Sequence, residues 1–274
     1  MLALVTLALA TEVAITIDDL PWNAGLPPGT DRAEAIARLV DTLRARSIPA
    51  VGFVNCDRVT DTKQLDPWIK GGLELGNHAA THMDLSSRPL ADWTEDVRRC
   101  DTQLRQRTGA VRFFRYPYLH QGDTLEKRDG AYAALAAMGV RVAHVSIDNH
   151  EWKFAADYGR TTDSAARAQL GARYVQHMSD AAAHFKALAT RKTGRDIKHV
   201  LLLHANALNA DHGAAMLDRL ASEGWTFISL DAALSDPVYA LPDTWVSPNG
   251  PSWLHRIEPR FPDELDWERG NAGW

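Results

Sequence analysis

Residues 15–22 read ITIDDLPW, an apolar and β-branched run that stops at two adjacent carboxylates, Asp18 and Asp19. Ile and Thr favour the pleated backbone of a strand, and an unbroken apolar run is typical of a strand buried on both faces. In parallel sheets the chemistry lies at the carboxyl ends of such strands. The stretch therefore predicts an α/β fold with a functional site at the end of its first strand.

The rest of the chain repeats this pattern. Stretches with helical spacing cover 30–46, 89–107, 125–138 and 162–192, the last as one long helix or a helix pair. About seven strands alternating with helices predict a deformed (β/α) barrel with catalytic residues at the C-terminal strand ends, and a doubly wound open sheet is the competing prediction. The predicted strands cover residues 13–17, 50–54, 73–76, 112–114, 140–147, 199–203 and 225–230.

Composition excludes one class of partner. The formal net charge of the 274 residues is -5, so there is no basic surface for nucleic acid. Cys56 and Cys100 are the only cysteines and are far apart without CxxC spacing. We therefore expect two buried small side chains, with neither a cysteine zinc site nor a disulfide framework.

The two ends of the chain differ from the barrel segment, residues 12–236. Residues 1–10, MLALVTLALA, end in an A-x-A pattern but contain no preceding Lys or Arg. Residues 1–11 are thus either a signal peptide, which predicts a periplasmic or secreted protein, or an apolar N-terminus of a cytoplasmic one. No segment is long enough to predict a transmembrane span, and the oligomeric state stays open. A Pro- and Trp-rich tail, 237–274, is expected to pack on the barrel with Trp245, Trp253, Trp267 and Trp274.

Ionisable side chains follow five of the predicted strands. His78 and His82 stand four apart, so on a helical turn both imidazoles would face one way and could hold one metal ion. Such a pair alone is a weak signal, and the HExxH glutamate of zincin proteases is missing. With a carboxylate from the first strand, the pair would make a two-histidine, one-carboxylate site. The strand ends carry Asp18 and Asp19, residues 76–82, 115–118 and 148–152, and His204.

These elements, in this order, resemble the motifs of the polysaccharide deacetylases, carbohydrate esterase family 4, also called the NodB-homology domain. The resemblance covers residues 13 to about 230. Each element is weak alone, and five in the family's order make a strong signal. They are TIDD at 16–19, GNHAATH at 76–82, RYPY at 115–118, DNHEW at 148–152 and LLLH at 201–204.

The resemblance implies different roles for the two adjacent acids. In this family the second acid binds a divalent metal, so Asp19 would be a ligand with His78 and His82, and Zn2+ is the expected ion. The first acid, Asp18, would be the catalytic base, paired with Arg115. The physical logic agrees, because water activated by a metal needs a nearby carboxylate to accept its proton.

The remaining strand ends would support this chemistry. On the same resemblance His204 is the general acid, and Glu151 orients it in a place where the family has Asp. Because Glu is one methylene longer, Asp148 is an alternative partner for His204. The backbone N–H of Tyr118 would stabilise the oxyanion. Three aromatic side chains would stack on a sugar ring: Tyr118, Trp152 and Trp22.

The function implied is hydrolysis of acetyl groups from an acetylated carbohydrate, either an N-acetyl sugar of a cell-wall or exported polysaccharide or an O-acetyl glycan. Residues such as Leu119, where the family has Gly, leave open another acylated small substrate, a linear or cyclic amide. A non-catalytic carbohydrate-binding relative is a further hypothesis, against which the intact set of acids and histidines argues. Glycosidase activity is disfavoured, since adjacent carboxylates cannot flank a glycosidic bond at ~5–9.5 Å.

Overall fold

Seven parallel strands form one sheet within residues 10–257, the part of the chain that the computed structural model describes. The strands are β1 (Thr11–Leu20), β2 (Val51–Val54), β3 (Glu74–Asn77), β4 (Phe113–Phe114), β5 (Arg141–Val142), β6 (His199–His204) and β7 (Trp225–Phe227). Their order is β5-β4-β3-β2-β1-β6, and β7 also pairs with β1. Strand β1 is buried along nearly its whole length, as its apolar sequence predicts.

Helices connect the strands. Asp31 accepts a hydrogen bond from the N–H of Glu34 and so caps the first helix, and Gly109, with a left-handed backbone, ends the third. The stretch predicted over 162–192 is a single helix of 30 residues. The helices are α1 (Arg32–Ala45), α2 (Asp66–Lys70), α3 (Leu90–Thr108), α4 (Leu125–Ala137), α5 (Glu151–Arg160), α6 (Ser164–Thr193), α7 (Ala207–Ser222), α8 (Leu230–Leu234) and α9 (Trp253–Ile257).

The sheet curls until its two edges meet. Beyond β5, Ile147 forms a parallel bridge with Leu201 of β6. The Ile147 N–H donates to the Val200 carbonyl at 3.0 Å, and the Leu202 N–H donates to the Ile147 carbonyl at 3.3 Å. These contacts join the segment that follows β5 to β6, at the two edges of the sheet order, so the prediction of a deformed (β/α) barrel is confirmed and the open doubly wound sheet is not.

Two predicted strands are shorter than expected. Of residues 140–147 only Arg141–Val142 is a strand, followed by the bridge at Ile147. Of residues 225–230, Leu230 instead begins α8, because the Ser229 hydroxyl accepts the N–H of Ala232 and caps the helix.

Both cysteines are buried as predicted, but the prediction that they form no disulfide is wrong. Cys56 and Cys100 form a disulfide, with their Cα atoms 5.3 Å apart, a separation that suits such a bond. It joins the turn after β2 to α3. The pair was missed because its sequence separation of 44 residues gives no local spacing signal.

The described part of the tail, residues 237–257, lies against the barrel. The Trp253 backbone N–H donates to the Val145 carbonyl at 2.6 Å, and its indole N–H donates to the Val238 carbonyl at 2.8 Å. Trp267, Trp274 and the apolar residues 1–9 lie outside the described residues. Among residues 10–257, no helix has both the length and the apolar character needed to cross a membrane.

Candidate active site

Parallel register gathers the strand ends into one site. Asp18 of β1 lies opposite His204 of β6. Asn77, the last residue of β3, pairs with Phe114, the last residue of β4. The residues that follow these two, His78 and Arg115, are therefore neighbours.

Asp18 is paired with a buried arginine. Arg115 Nη1 lies 3.2 Å from each carboxylate oxygen of Asp18. The guanidinium is fixed because it also donates to the Ala143 carbonyl at 2.7 Å and to the Thr16 hydroxyl at 3.0 Å. Burial raises the pKa of Asp18 to about 6, although the charge of Arg115 opposes the rise. A carboxylate with this pKa is ionised at neutral pH and suited to accept a proton.

Asp19 lies beside both predicted histidine ligands. Its Oδ1 atom is 3.5 Å from His82 Nε2 and 3.8 Å from His78 Nε2, and the three ligand atoms lie within 4.8 Å of one another. His78 Nδ1 is 2.8 Å from the Arg115 carbonyl oxygen. Because a carbonyl only accepts, the Nδ1 proton is fixed there and the Nε2 lone pair is available to an ion.

This donor set fits a divalent metal. Two bonds of ~2.0–2.2 Å allow donor atoms to lie up to about 4 Å apart, which covers both distances. Burial lowers the pKa of His78 well below its usual value and that of His82 to about 4, so both rings are neutral at pH 7, as ligands must be. The buried Asp19 Oδ1 has no hydrogen-bond partner among the described residues. Asp19, His78 and His82 could therefore hold an ion such as Zn2+.

The expected helical turn under the two histidines is absent, and that prediction is wrong. Residues 78–82 form a loop, with left-handed φ values of 62° at Ala79 and 60° at His82. Such backbone costs of order 1–3 kcal/mol per non-glycine residue and clusters at functional sites. The site holds several such residues, namely Asp19, Ala79, His82, Tyr118, Leu119 and His150.

Glu151, rather than Asp148, holds His204. Glu151 Oε2 lies 2.8 Å from His204 Nδ1, and its Oε1 accepts hydrogen bonds from Asn206 at 2.5 Å and Asn209 at 2.6 Å. Burial alone would lower the pKa of His204, but the Glu151 hydrogen bond and the surrounding carboxylates raise it to about 9. His204 is therefore protonated at neutral pH, as a general acid must be. Asp148 lies on the cavity wall instead.

A cavity of ≈ 400 Å³ opens onto these groups. Tyr118 and Trp152 line it with 58% and 47% of their surfaces exposed. Trp22 is only 7% exposed and belongs to the hydrophobic core, so the structure does not bring it to the cavity wall. The wall also carries small and apolar side chains: Ala24, Leu119, Ala156 and Leu202.

Sequence reasoning missed four polar residues at the site. Asn23 donates a hydrogen bond to Asp19 Oδ2, and Arg58 Nη1 lies 3.0 Å from Asp19 Oδ1. Asn206 and Asn209 bind Glu151. The two later asparagines had a signal, since Asn206 lies two residues after the end of β6 and caps α7, which carries Asn209. Nothing in the sequence links Arg58 to Asp19.

The polysaccharide deacetylase family model matches residues 9–143. This segment contains Asp18, Asp19, His78, His82 and Arg115. This segment belongs to the polysaccharide deacetylase family. The resemblance drawn from the motifs is thus confirmed, although Glu151 and His204 lie beyond the matched segment. A search of curated proteins by sequence finds no match.

Several solved structures share the fold of this chain. A family 4 carbohydrate esterase from Streptomyces lividans, in complex with acetate, is 18% identical with a TM-score of 0.55, over 82% of this chain and 97% of that chain. A peptidoglycan deacetylase from Bacillus subtilis is 17% identical with a TM-score of 0.54, over 95% and 98%. A family 4 pseudoenzyme from Bacillus anthracis is 16% identical with a TM-score of 0.58, over 82% and 66%.

The family match places this protein among the hydrolases of amide or ester bonds. The geometry agrees with such chemistry, because one cavity holds a buried carboxylate and a histidine of raised pKa beside a set of metal-type ligands.

Proposed function

We propose that the protein is a metal-dependent hydrolase that removes acetyl groups from an acetylated carbohydrate. The observation that carries the proposal is the pairing of Asp18 with His204 on one cavity wall. The pKa of Asp18 is about 6 and that of His204 about 9, so at neutral pH one is a ready base and the other a ready acid. Titratable groups whose pKa values are pushed apart identify the acid and base of an active site.

Asp19, His78 and His82 would hold the metal between these two groups. A divalent ion at this position supplies Lewis acidity, which activates water and polarises a carbonyl group. Asn23 fixes Asp19 through its second carboxylate oxygen. The Arg115 carbonyl fixes the ring of His78 in the same way.

The chain's own residues move the protons. Asp18 accepts a proton from the attacking water, and Arg115 keeps Asp18 oriented. His204 donates its proton to the leaving amine or alcohol, and Glu151 stabilises the charged ring beforehand. The Tyr118 backbone N–H would donate to the developing oxyanion.

The substrate class rests on the cavity wall. Tyr118 and Trp152 present exposed aromatic faces, which suit the apolar face of a sugar ring. An N-acetyl sugar in a cell-wall or exported polysaccharide fits this arrangement, as does an O-acetyl glycan. The Cys56–Cys100 disulfide supports export to an oxidising compartment, in agreement with the signal-peptide hypothesis for residues 1–11.

A second candidate is hydrolysis of a linear or cyclic amide. Leu119 narrows the cavity where the family has a glycine, and Leu202 and Ala156 extend the apolar wall. Such a wall favours a small, less polar acyl compound. One of the similar structures is a pseudoenzyme. A non-catalytic, carbohydrate-binding role for this protein is therefore a third outcome that the test must distinguish.

The test combines zinc content with acetate release from a panel of acetylated glycans. We expect about one zinc ion per chain in the wild type, loss of zinc in His78→Ala, and retained zinc in Asp18→Asn with turnover lower by about 10²–10⁴-fold. Asp129→Asn is the matched control, because its carboxylate is 64% exposed.

Other outcomes choose between the hypotheses. Normal acetate release by metal-free protein would overturn the metal dependence. Zinc without acetate release from any glycan would move the test to linear and cyclic amides. Glycan binding without turnover on either panel would leave the carbohydrate-binding role.

A further inference from the structure

An arginine from the turn after β2 contacts the carboxylate that would hold the metal. Arg58 Nη1 lies 3.0 Å from Asp19 Oδ1, the same oxygen that faces the two histidine Nε2 atoms at 3.5 and 3.8 Å. The other oxygen, Oδ2, accepts the hydrogen bond from Asn23. A divalent ion and the Arg58 guanidinium would therefore share one oxygen atom.

The backbone that carries Arg58 is anchored to the loop of the histidine ligands. Asn55 donates its side-chain N–H to the His78 carbonyl at 2.7 Å, and the Asp57 N–H donates to the Ala80 carbonyl at 3.0 Å. The Cys56–Cys100 disulfide lies between these two contacts. The backbone at Arg58 is thus held next to the ligand set by the fold, and the partly exposed side chain reaches Asp19 from there.

Arg58 does not orient Asp19. Although the two atoms are 3.0 Å apart, Asp19 Oδ1 has no contact with hydrogen-bond geometry among the described residues. Asn23 supplies the directional bond, on the other oxygen. What Arg58 adds is positive charge, which an arginine keeps at every physiological pH.

We propose that Arg58 weakens metal binding, so that a higher free metal concentration is needed to fill the site. The inference rests on the proposed metal site. A fixed positive charge beside a ligand oxygen repels a divalent ion and competes with it for that oxygen. Because 41% of the Arg58 side chain is exposed, solvent screens part of the repulsion, and the effect is modest. Metal content would then follow the free metal concentration around the protein.

The test measures the zinc dissociation constant by competition with a chromophoric chelator. We expect Arg58→Gln to bind zinc about tenfold more tightly than the wild type, the size of effect for a partly screened charge at this distance. Arg58→Lys, which keeps the charge, should stay nearer to the wild type than to R58Q. Arg98→Gln is the matched control, since Arg98 is exposed and pairs with Glu95 on α3, and its affinity should not change.

Three outcomes would overturn the proposal. Weaker zinc binding in R58Q would show that Arg58 supports Asp19, and unchanged binding would show that its charge does not reach the ion. Equal tightening in R58Q and R58K would point to side-chain size. If the wild type and every variant bind no zinc, the proposed metal site fails as well, whereas zinc binding by the wild type without tightening in R58Q removes only the role of Arg58.

Discussion

Strand β6 begins and ends with a histidine beside a carboxylate, and the two ends behave differently. At its start, His199 Nε2 lies 3.4 Å from Asp196 Oδ1, and Nδ1 lies 3.1 Å from the Ser146 hydroxyl. At its end, His204 Nδ1 lies 2.8 Å from Glu151 Oε2. The first set has the composition of a Ser-His-Asp triad, yet His199 and Ser146 are completely buried. In the second set, His204 lines the cavity.

The charges around each ring explain the difference. Burial lowers the pKa of His199, and the nearby Asp196 carboxylate does not reverse the shift. Burial also opposes the charge of His204, but Glu151 with Asp19 and Asp18 raises its pKa to about 9. A histidine beside an acid is therefore a structural or a functional group according to the number of carboxylates that face it and its access to a cavity.

The largest expected effect separates the two histidines by turnover. His204→Asn should lower kcat by about 10²–10⁴-fold, because it removes the proton donor. His199→Asn should leave kcat of the folded protein unchanged and lower the free energy of unfolding by about 1–3 kcal/mol, since it leaves buried polar groups without partners. The measurements are acetate release and urea unfolding. A similar loss of kcat in both variants would contradict the assignment of His204 as functional and His199 as structural.

A second effect concerns the pH dependence of unfolding, measured in EDTA. The pKa of His204 in the folded protein, about 9, lies above the usual 6.5. The contribution of His204 to the free energy of unfolding is therefore fully present below pH 6.5 and is lost as the pH rises through 9. The His199 contribution is present above pH 6.5 and is lost as the pH falls, because its folded pKa is lowered. Between about pH 6 and about pH 10, the difference between wild type and His204→Asn should shrink by about 3 kcal/mol.

The His199→Asn variant is the control for this experiment. Its difference from the wild type should stay constant over the alkaline range and shrink only below pH 6.5. A constant difference for His204→Asn over the alkaline range would mean that Glu151 does not raise the pKa of His204 in the folded protein.

Register explains how much of the site could be predicted from the sequence. In a parallel barrel, all strands end on the same side, so polar residues that directly follow apolar runs meet in space. Asp18, His78, Arg115 and His204 each stand at or just after the end of a strand, and the structure gathers them. The competing open sheet could not be rejected in this way, because the closing bridge at Ile147 involves a single residue pair.

Positions that depend on loops could not be predicted. Trp22 lies close in sequence to Asp19, yet its ring packs into the core. This could not be predicted, because side chains beyond the end of a strand follow no regular period in the sequence. Arg58 reaches Asp19 through a turn anchored by a disulfide between residues that are distant in sequence. The left-handed backbone at Ala79 and His82 likewise replaces the helical turn that the HxxxH spacing favours.

The smallest expected effect is a shift of the pH–rate profile when the carboxylate beside each histidine of β6 is replaced by an amide. Glu151→Gln should keep the bonds from Asn206 and Asn209 in part but remove the charge that raises the pKa of His204. The alkaline limb of the pH–rate profile should then move toward neutral pH. The rate at pH 9 should fall by about tenfold for each pKa unit of that movement.

Asp196→Asn is the matched change at the other end of β6. It removes the carboxylate that lies 3.4 Å from His199 Nε2 and should leave the profile unchanged, because His199 takes no part in turnover. An unchanged profile in both variants would show that Glu151 only positions His204. A shift in both would show that charge at either end of β6 reaches the cavity, and the two histidines would then differ in access alone.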